Sequence, residues 1–119
     1  MKPASPLWLL LFFAASLHCL VDLVAGSLSP LWPLMDGHFR LAAWQGAGLF
    51  FVWQMTTSLS QFLFGVWGDR FNSRWLLWVG PLAAILCLGS IGLTTSPILL
   101  AQLLVIAGLG IAAFHPEGA

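Results

Sequence analysis

The chain alternates long apolar runs with short polar breaks. No Asp, Glu, Lys or Arg falls between Lys2 and Asp22, between Arg40 and Asp69, or between Arg74 and Glu117. One helical crossing of a bilayer needs about 20 residues, at about 1.5 Å each over a core about 30 Å thick. The last run is long enough for two crossings. Thr94-Thr95-Ser96-Pro97 supplies its turn, with hydroxyls that can cap and a Pro suited to a first helical turn. The pattern therefore predicts an all-α membrane protein with four transmembrane helices, over roughly 6–28, 41–67, 75–93 and 97–115.

Composition agrees. Of 119 residues, 60% are hydrophobic and 7% charged, with zero net charge. Ordinary soluble domains carry about 25% charged residues. This excludes a water-soluble enzyme, a disordered tail and a nucleic-acid binder, since no basic run is present to collect phosphates. Cys19 and Cys87 are too few for a disulfide framework and read as packing thiols. The first span also resembles a secretory signal, with Leu7–Leu17 as its apolar region and Val24-Ala25-Gly26 as a passable cleavage site. Its apolar character continues further, however, and His18 and Asp22 interrupt it, so a retained span is expected.

Lys2 precedes the first span, and Arg70 and Arg74 lie between the second and third. An excess of positive charge marks the cytoplasmic side, so the amino terminus, the second loop and the end of the chain are expected there. Trp8, Trp32, Trp44, Trp67, Trp75 and Trp78 fall near span ends, where an amphipathic ring suits the interface. Trp53 is mid-span and is expected to face lipid or a cavity.

Ionisable groups inside a span carry the candidate chemistry. A carboxylate there is expensive, about 2.5–3.5 kcal/mol on insertion scales, and usually faces a bundle interior or a cavity. Asp22 is such a group, and His18 lies one turn earlier on the same face, which Gly26 and Ser29 continue. Low dielectric disfavours the charged form of a carboxylic acid, which is the property a proton-coupled carrier uses. The plainer alternative is a hydrated Asp22 at the interface with His18 hydrogen-bonded in the bundle. One His and one Asp are too few for a metal site, and no metal or other cofactor is expected. In the second span Gln54, Ser58, Gln61, Gly65 and Gly68 share one face. This is either helix-packing glue or, for Gln54 and Gln61, part of a substrate path. Gly80-Pro81, Gly89, Ser90 and Gly92 in the third span, with Gly108 and Gly110 in the fourth, predict close packing and bends. No Ser/His pair, metal cluster or phosphate loop points to an enzyme.

The second loop, Gly65-Val66-Trp67-Gly68-Asp69-Arg70-Phe71-Asn72-Ser73-Arg74, is the most specific signal. Asp69 can accept hydrogen bonds from Arg70, from Arg74 or from a helix N-terminus. Asn72 suits a left-handed turn. The segment resembles the loop signature Gly-x-x-x-Asp-Arg-x-Gly-Arg-Arg of the major facilitator superfamily. Gly65, Asp69, Arg70 and Arg74 match; Asn72 replaces the usual Gly and Ser73 the usual first Arg of the closing pair. The resemblance implies that Asp69, Arg70 and Arg74, with Gly65 and Gly68, form a cytoplasmic gating loop between two six-helix halves.

A narrower resemblance is to the fosmidomycin-resistance subgroup of efflux carriers. It rests on His18-Cys19-Leu20-Val21-Asp22, on Ser58-Leu59-Ser60-Gln61, and on Gly108 through Phe114-His115-Pro116-Glu117. It implies proton-driven export of a small molecule or drug across a bacterial inner membrane, with Asp22 as the coupling carboxylate. His115, Pro116 and Glu117 would then lie at the cytoplasmic end of the fourth helix.

Such carriers are built from two six-helix halves of 3+3 inverted repeats. Residues 1–119 therefore read as the amino-terminal portion of such a domain, and the remaining helices of a parent chain would be its partners, along with lipid, protons and substrate. Two alternatives remain open. One is a dimeric four-helix exporter of the small multidrug-resistance type, although that group uses a first-helix Glu, absent here, and lacks the Gly-Asp-Arg loop. The other is a non-transporting membrane subunit.

Overall fold

The computed structural model describes residues 6–118, with Pro6 and Glu117 described by their backbone alone. Lys2, used above for orientation, lies outside the described residues. Four helices run α1 Pro6–Phe39, α2 Ala43–Gly68, α3 Leu76–Ser90 and α4 Pro97–Gly118, with a 3-10 turn at Ile91–Leu93 closing α3. All four are long and apolar enough to cross a membrane once that turn is counted with α3. In hydrocarbon every backbone group must be satisfied within the protein, and helices do this from local bonds alone.

The α3–α4 turn follows its sequence. Thr94 Oγ1 accepts from the Ser96 amide at 3.1 Å, and Ser96 Oγ accepts from the Leu99 amide at 3.4 Å. Pro97 then opens α4, where its missing N–H has no intrahelical partner to lose.

α1 departs from expectation. It continues through Pro30 and Pro33 to Phe39, whereas the sequence placed a loop there. Each proline removes one helical hydrogen bond. Packing compensates: Val21, Leu28, Met35 and Phe39 form one buried stripe at helical spacing. His38 Nε2 also meets the Thr94 carbonyl at 2.9 Å, tying this end of α1 to the α3–α4 turn.

The α1–α2 connection is tight. The Leu41 amide donates to the Asp36 carbonyl at 3.0 Å and the Arg40 amide to the Gly37 carbonyl at 3.3 Å. This bond pair is the Schellman ending of a helix, with Arg40 left-handed at φ 51° where Gly is usual. Arg40 is the only described non-glycine residue with positive φ, so Asn72 does not take the left-handed turn expected of it. A left-handed L-residue costs about 1–2 kcal/mol. Arg40→Gly is therefore expected to raise thermal stability in detergent by about 1 kcal/mol, read from the loss of helical circular dichroism on heating.

α4 is the axis of the packing. Leu100, Leu104, Ala107, Ile111, Ala112, Ala113 and Phe114 are all buried. It lies chiefly against α3 and α2, while α1 rests on it more lightly. Trp53 joins this core at 3% exposure, so it faces the bundle rather than lipid or a cavity. Trp32 is half-buried, its ring 5.1 Å edge-on from Phe50. Trp8, Trp44, Trp67, Trp75 and Trp78 remain exposed.

Candidate functional site

The register of α1 on α4 builds the site. His38 meets Thr94 at one end of the bundle, and at the other His18 Nδ1 lies 3.4 Å from the Gly118 carbonyl. The part of α1 between these contacts runs alongside α4. The turns before His18 lie beyond the last described turn of α4, where Leu10, Phe13 and Leu17 line an apolar groove shared with Leu77, Trp78 and Phe114. Asp22 therefore sits opposite the last turn of α4, not level with its middle.

Three side chains converge there. His18 Nε2 is 3.6 Å from Asp22 Oδ2, and His115 Nε2 is 3.6 Å from Asp22 Oδ1. The first pair is one turn apart on α1; the second joins α1 to α4. The rings of His18 and His115 lie 5.2 Å apart, and Phe114 flanks His18 at 5.6 Å. The polar stripe predicted on α1 thus divides. His18 and Asp22 engage α4, whereas Gly26 and Ser29 are exposed, beside the buried apolar stripe. The sequence placed His115 at a helix end; its pairing with Asp22 is tertiary and left no local signal. Pro116 lies over Gly65, its Cβ 3.9 Å from where a side chain at Gly65 would begin. Glu117's side chain lies outside the described residues.

The loop connecting α2 and α3 is at this same end. α2 stops at Gly68, and the Asp69 amide donates to the Gly65 carbonyl at 3.0 Å. The Arg70 and Phe71 amides close on the Trp67 carbonyl at 3.0 and 2.9 Å, and the Leu76 amide on the Ser73 carbonyl at 2.7 Å. Ser73, which stands where the signature has Arg, is buried at 3% exposure, with Oγ donating to the Phe71 carbonyl at 3.4 Å. Asp69, Arg70 and Arg74 point to the exterior. Among the described residues neither arginine forms an ion pair with Asp69. The charges of the loop are presented outward rather than spent on one another.

On α2 the expected polar face packs only at its Gly65 end. Gln54 and Ser58 are exposed and Gln61 half-buried. The face meeting the bundle runs through Gly46, Trp53 and Thr57 to Gly65. Thr56 and Thr57 send their hydroxyls back to the Val52 and Trp53 carbonyls, at 2.7 and 3.0 Å, and their methyls against Gly108 of α4. At the opposite end Asp36 Oδ1 is buried without a hydrogen-bond partner among the described residues, its carboxylate pressed over Gly46 in the first turn of α2. A helix N-terminus is a favourable place for that charge.

Comparison with known proteins supports a transporter. The chain is 31% identical over 103 residues to the fosmidomycin resistance protein of Escherichia coli, a match covering 84% of this chain and 25% of that protein. It is 29% identical over 119 residues to an uncharacterised transporter of the major facilitator type, YfnC, of Bacillus subtilis, covering 98% of this chain and 29% of that one. The chain thus spans between a quarter and a third of the length of these curated relatives. No family model matches it, and no solved structure matches it significantly. Four membrane-length helices agree with the resemblance to major facilitator superfamily transporters and to the fosmidomycin resistance protein, which holds over most of this chain.

Proposed function

We propose that the chain forms the first four helices of a proton-coupled major facilitator carrier that exports a small molecule across a bacterial inner membrane, with its amino terminus in the cytoplasm. The observation that carries this reading is Asp22 held between His18 and His115 across the α1–α4 contact. A carboxylate shared by two helices changes the attraction between them when it gains or loses a proton. Loading Asp22 with a proton removes the charge that both histidines face, and the population shifts toward the conformation that tolerates the neutral form. The fosmidomycin resistance protein is named for a drug, and export is a direct route to resistance.

The substrate path in this reading enters beside the cluster, along the apolar groove under Phe13 and Trp78, and passes Gln61 and Gln54 of α2. Asp69, Arg70 and Arg74, with Gly65 and Gly68, act as the gating loop. Their outward charges are available to the second half of the carrier, and Gly65 and Gly68 let another helix approach. His115, Pro116 and Glu117 form the cytoplasmic mouth, consistent with the positive charge of the adjoining loop.

The carrier containing this chain, purified from its own membranes and reconstituted in vesicles, tests the coupling with fosmidomycin as probe. With the cytoplasmic face outward, an acidic lumen should drive uptake that collapses when a protonophore is added. Flux indifferent to the imposed pH gradient would remove proton coupling from the proposal.

A further inference from the structure

We infer that His18, Asp22 and His115 form a binding site for a divalent transition-metal ion of the zinc class. The site rests on the geometry alone and is independent of the transport reading. One donor atom from each of the three side chains lies within 4.8 Å of the other two. A tetrahedral ion with bonds of about 2.0–2.1 Å holds its ligand atoms about 3.4 Å apart. Each imidazole Nε2 lies 3.6 Å from a different oxygen of Asp22, His18 from Oδ2 and His115 from Oδ1. Drawing both nitrogens in around one of these oxygens takes a rotation of the carboxylate and of the rings from separations that are all within 4.8 Å.

A second observation comes from the far side of His18. Its Nδ1 faces the Gly118 carbonyl at 3.4 Å. A carbonyl only accepts, so a hydrogen on Nδ1 fits this contact, and a ring with its hydrogen there turns the Nε2 lone pair toward Asp22. A lone pair and a carboxylate oxygen side by side can hold a cation between them. Metal-bound histidines typically have this arrangement, with the nitrogen opposite the metal donating to a carbonyl or a carboxylate, which fixes tautomer and ring orientation. Two imidazoles and a carboxylate suit zinc, nickel, cobalt or copper rather than magnesium or calcium. Three protein ligands leave a fourth position open, for water or for a donor atom of a bound molecule. The site is accessible: the side chains of His18, Asp22 and His115 are 35%, 55% and 22% exposed. Because Asp22 and His18 belong to α1 and His115 to α4, a bound ion would pin the most lightly held helix to the axis of the bundle.

Calorimetric titration of Zn2+ into the detergent-purified 119-residue chain, carrying no polyhistidine tag, tests the site, with Co2+ absorption as a second readout. The expected result is one ion per chain, with a Co2+ spectrum of tetrahedral nitrogen and oxygen ligation. His18→Ala, Asp22→Asn and His115→Ala should each weaken binding by about tenfold or more. Helical circular dichroism checks each variant's fold, and His115→Gln replaces His115→Ala if the latter unfolds. Absence of binding by the folded chain would overturn the proposal and leave a proton as the shared cation. So would binding that survives loss of His115, or a thiolate band that disappears in Cys19→Ser, which would assign the ion to the exposed Cys19 instead.

Discussion

Gly110→Ala is expected to separate α3 from α4 and to destabilise the described fold strongly. A Cβ at Gly110 would strike the Gly80 carbonyl oxygen, with the Ala84 amide nitrogen 3.2 Å away. Conversely, a Cβ at Gly80 would lie 2.5 Å from the Gly110 oxygen. Both obstacles are backbone, which cannot rotate aside as a side chain can. Small residues that let helix backbones touch are the main means of association in lipid, where burial of apolar surface drives little. Overpacking by one methyl costs about 1–3 kcal/mol in soluble cores, and a rigid backbone neighbour places this site at the upper end. Loss of helical signal on heating in detergent measures it. Gly89→Ala, where a Cβ meets nothing within 4 Å, is the matched control and should change little. Equal behaviour of the two variants would show that the Gly80–Gly110 contact does not hold the helices together.

Asp22→Asn is expected to have the largest effect on activity. In the carrier containing this chain, gradient-driven flux should fall to background while expression and helical content persist. Asn keeps the size and the hydrogen-bonding capacity of the side chain but cannot exchange the proton. It also removes the charge that His18 and His115 face at 3.6 Å. Facilitated exchange of substrate without a gradient should survive, because that process needs the path but not the coupling. A variant that transports normally against a gradient would move the coupling role away from Asp22. A variant that loses expression as well would show the cluster to be structural, with the two histidines depending on Asp22 for packing.

Helix number and type were legible because bilayer thickness leaves a direct mark on the chain: each crossing is an uncharged run of the required length. The cap at Ser96-Pro97 was equally local and appeared where expected. The end of α1 was not legible. Pro30 and Pro33 are turn signals taken alone, and only the buried stripe of Val21, Leu28, Met35 and Phe39 explains why the helix continues through them. Trp53 could not be assigned to lipid or protein because α2 is apolar on more than one face. Its burial depends on where α4 lies. The same holds for Gln54 and Ser58, which share a face in sequence but do not face the bundle.

For the candidate site, the sequence identified His18 and Asp22 together, since residues one turn apart on a helix are neighbours whatever surrounds them. The loop from Gly65 to Arg74 was recognisable for a similar reason: its chemistry is contiguous. The placement of His115 beside Asp22 was decided only by tertiary structure. It depends on the register of α1 against α4, set by contacts at both ends between residues far apart in the chain, His38 with Thr94 and His18 with Gly118. Local periodicity fixes which residues share a helix face, but not the height at which one helix passes another. That height follows from which small residues allow backbones to meet and which side chains fill the space that remains, a property of the packed bundle as a whole.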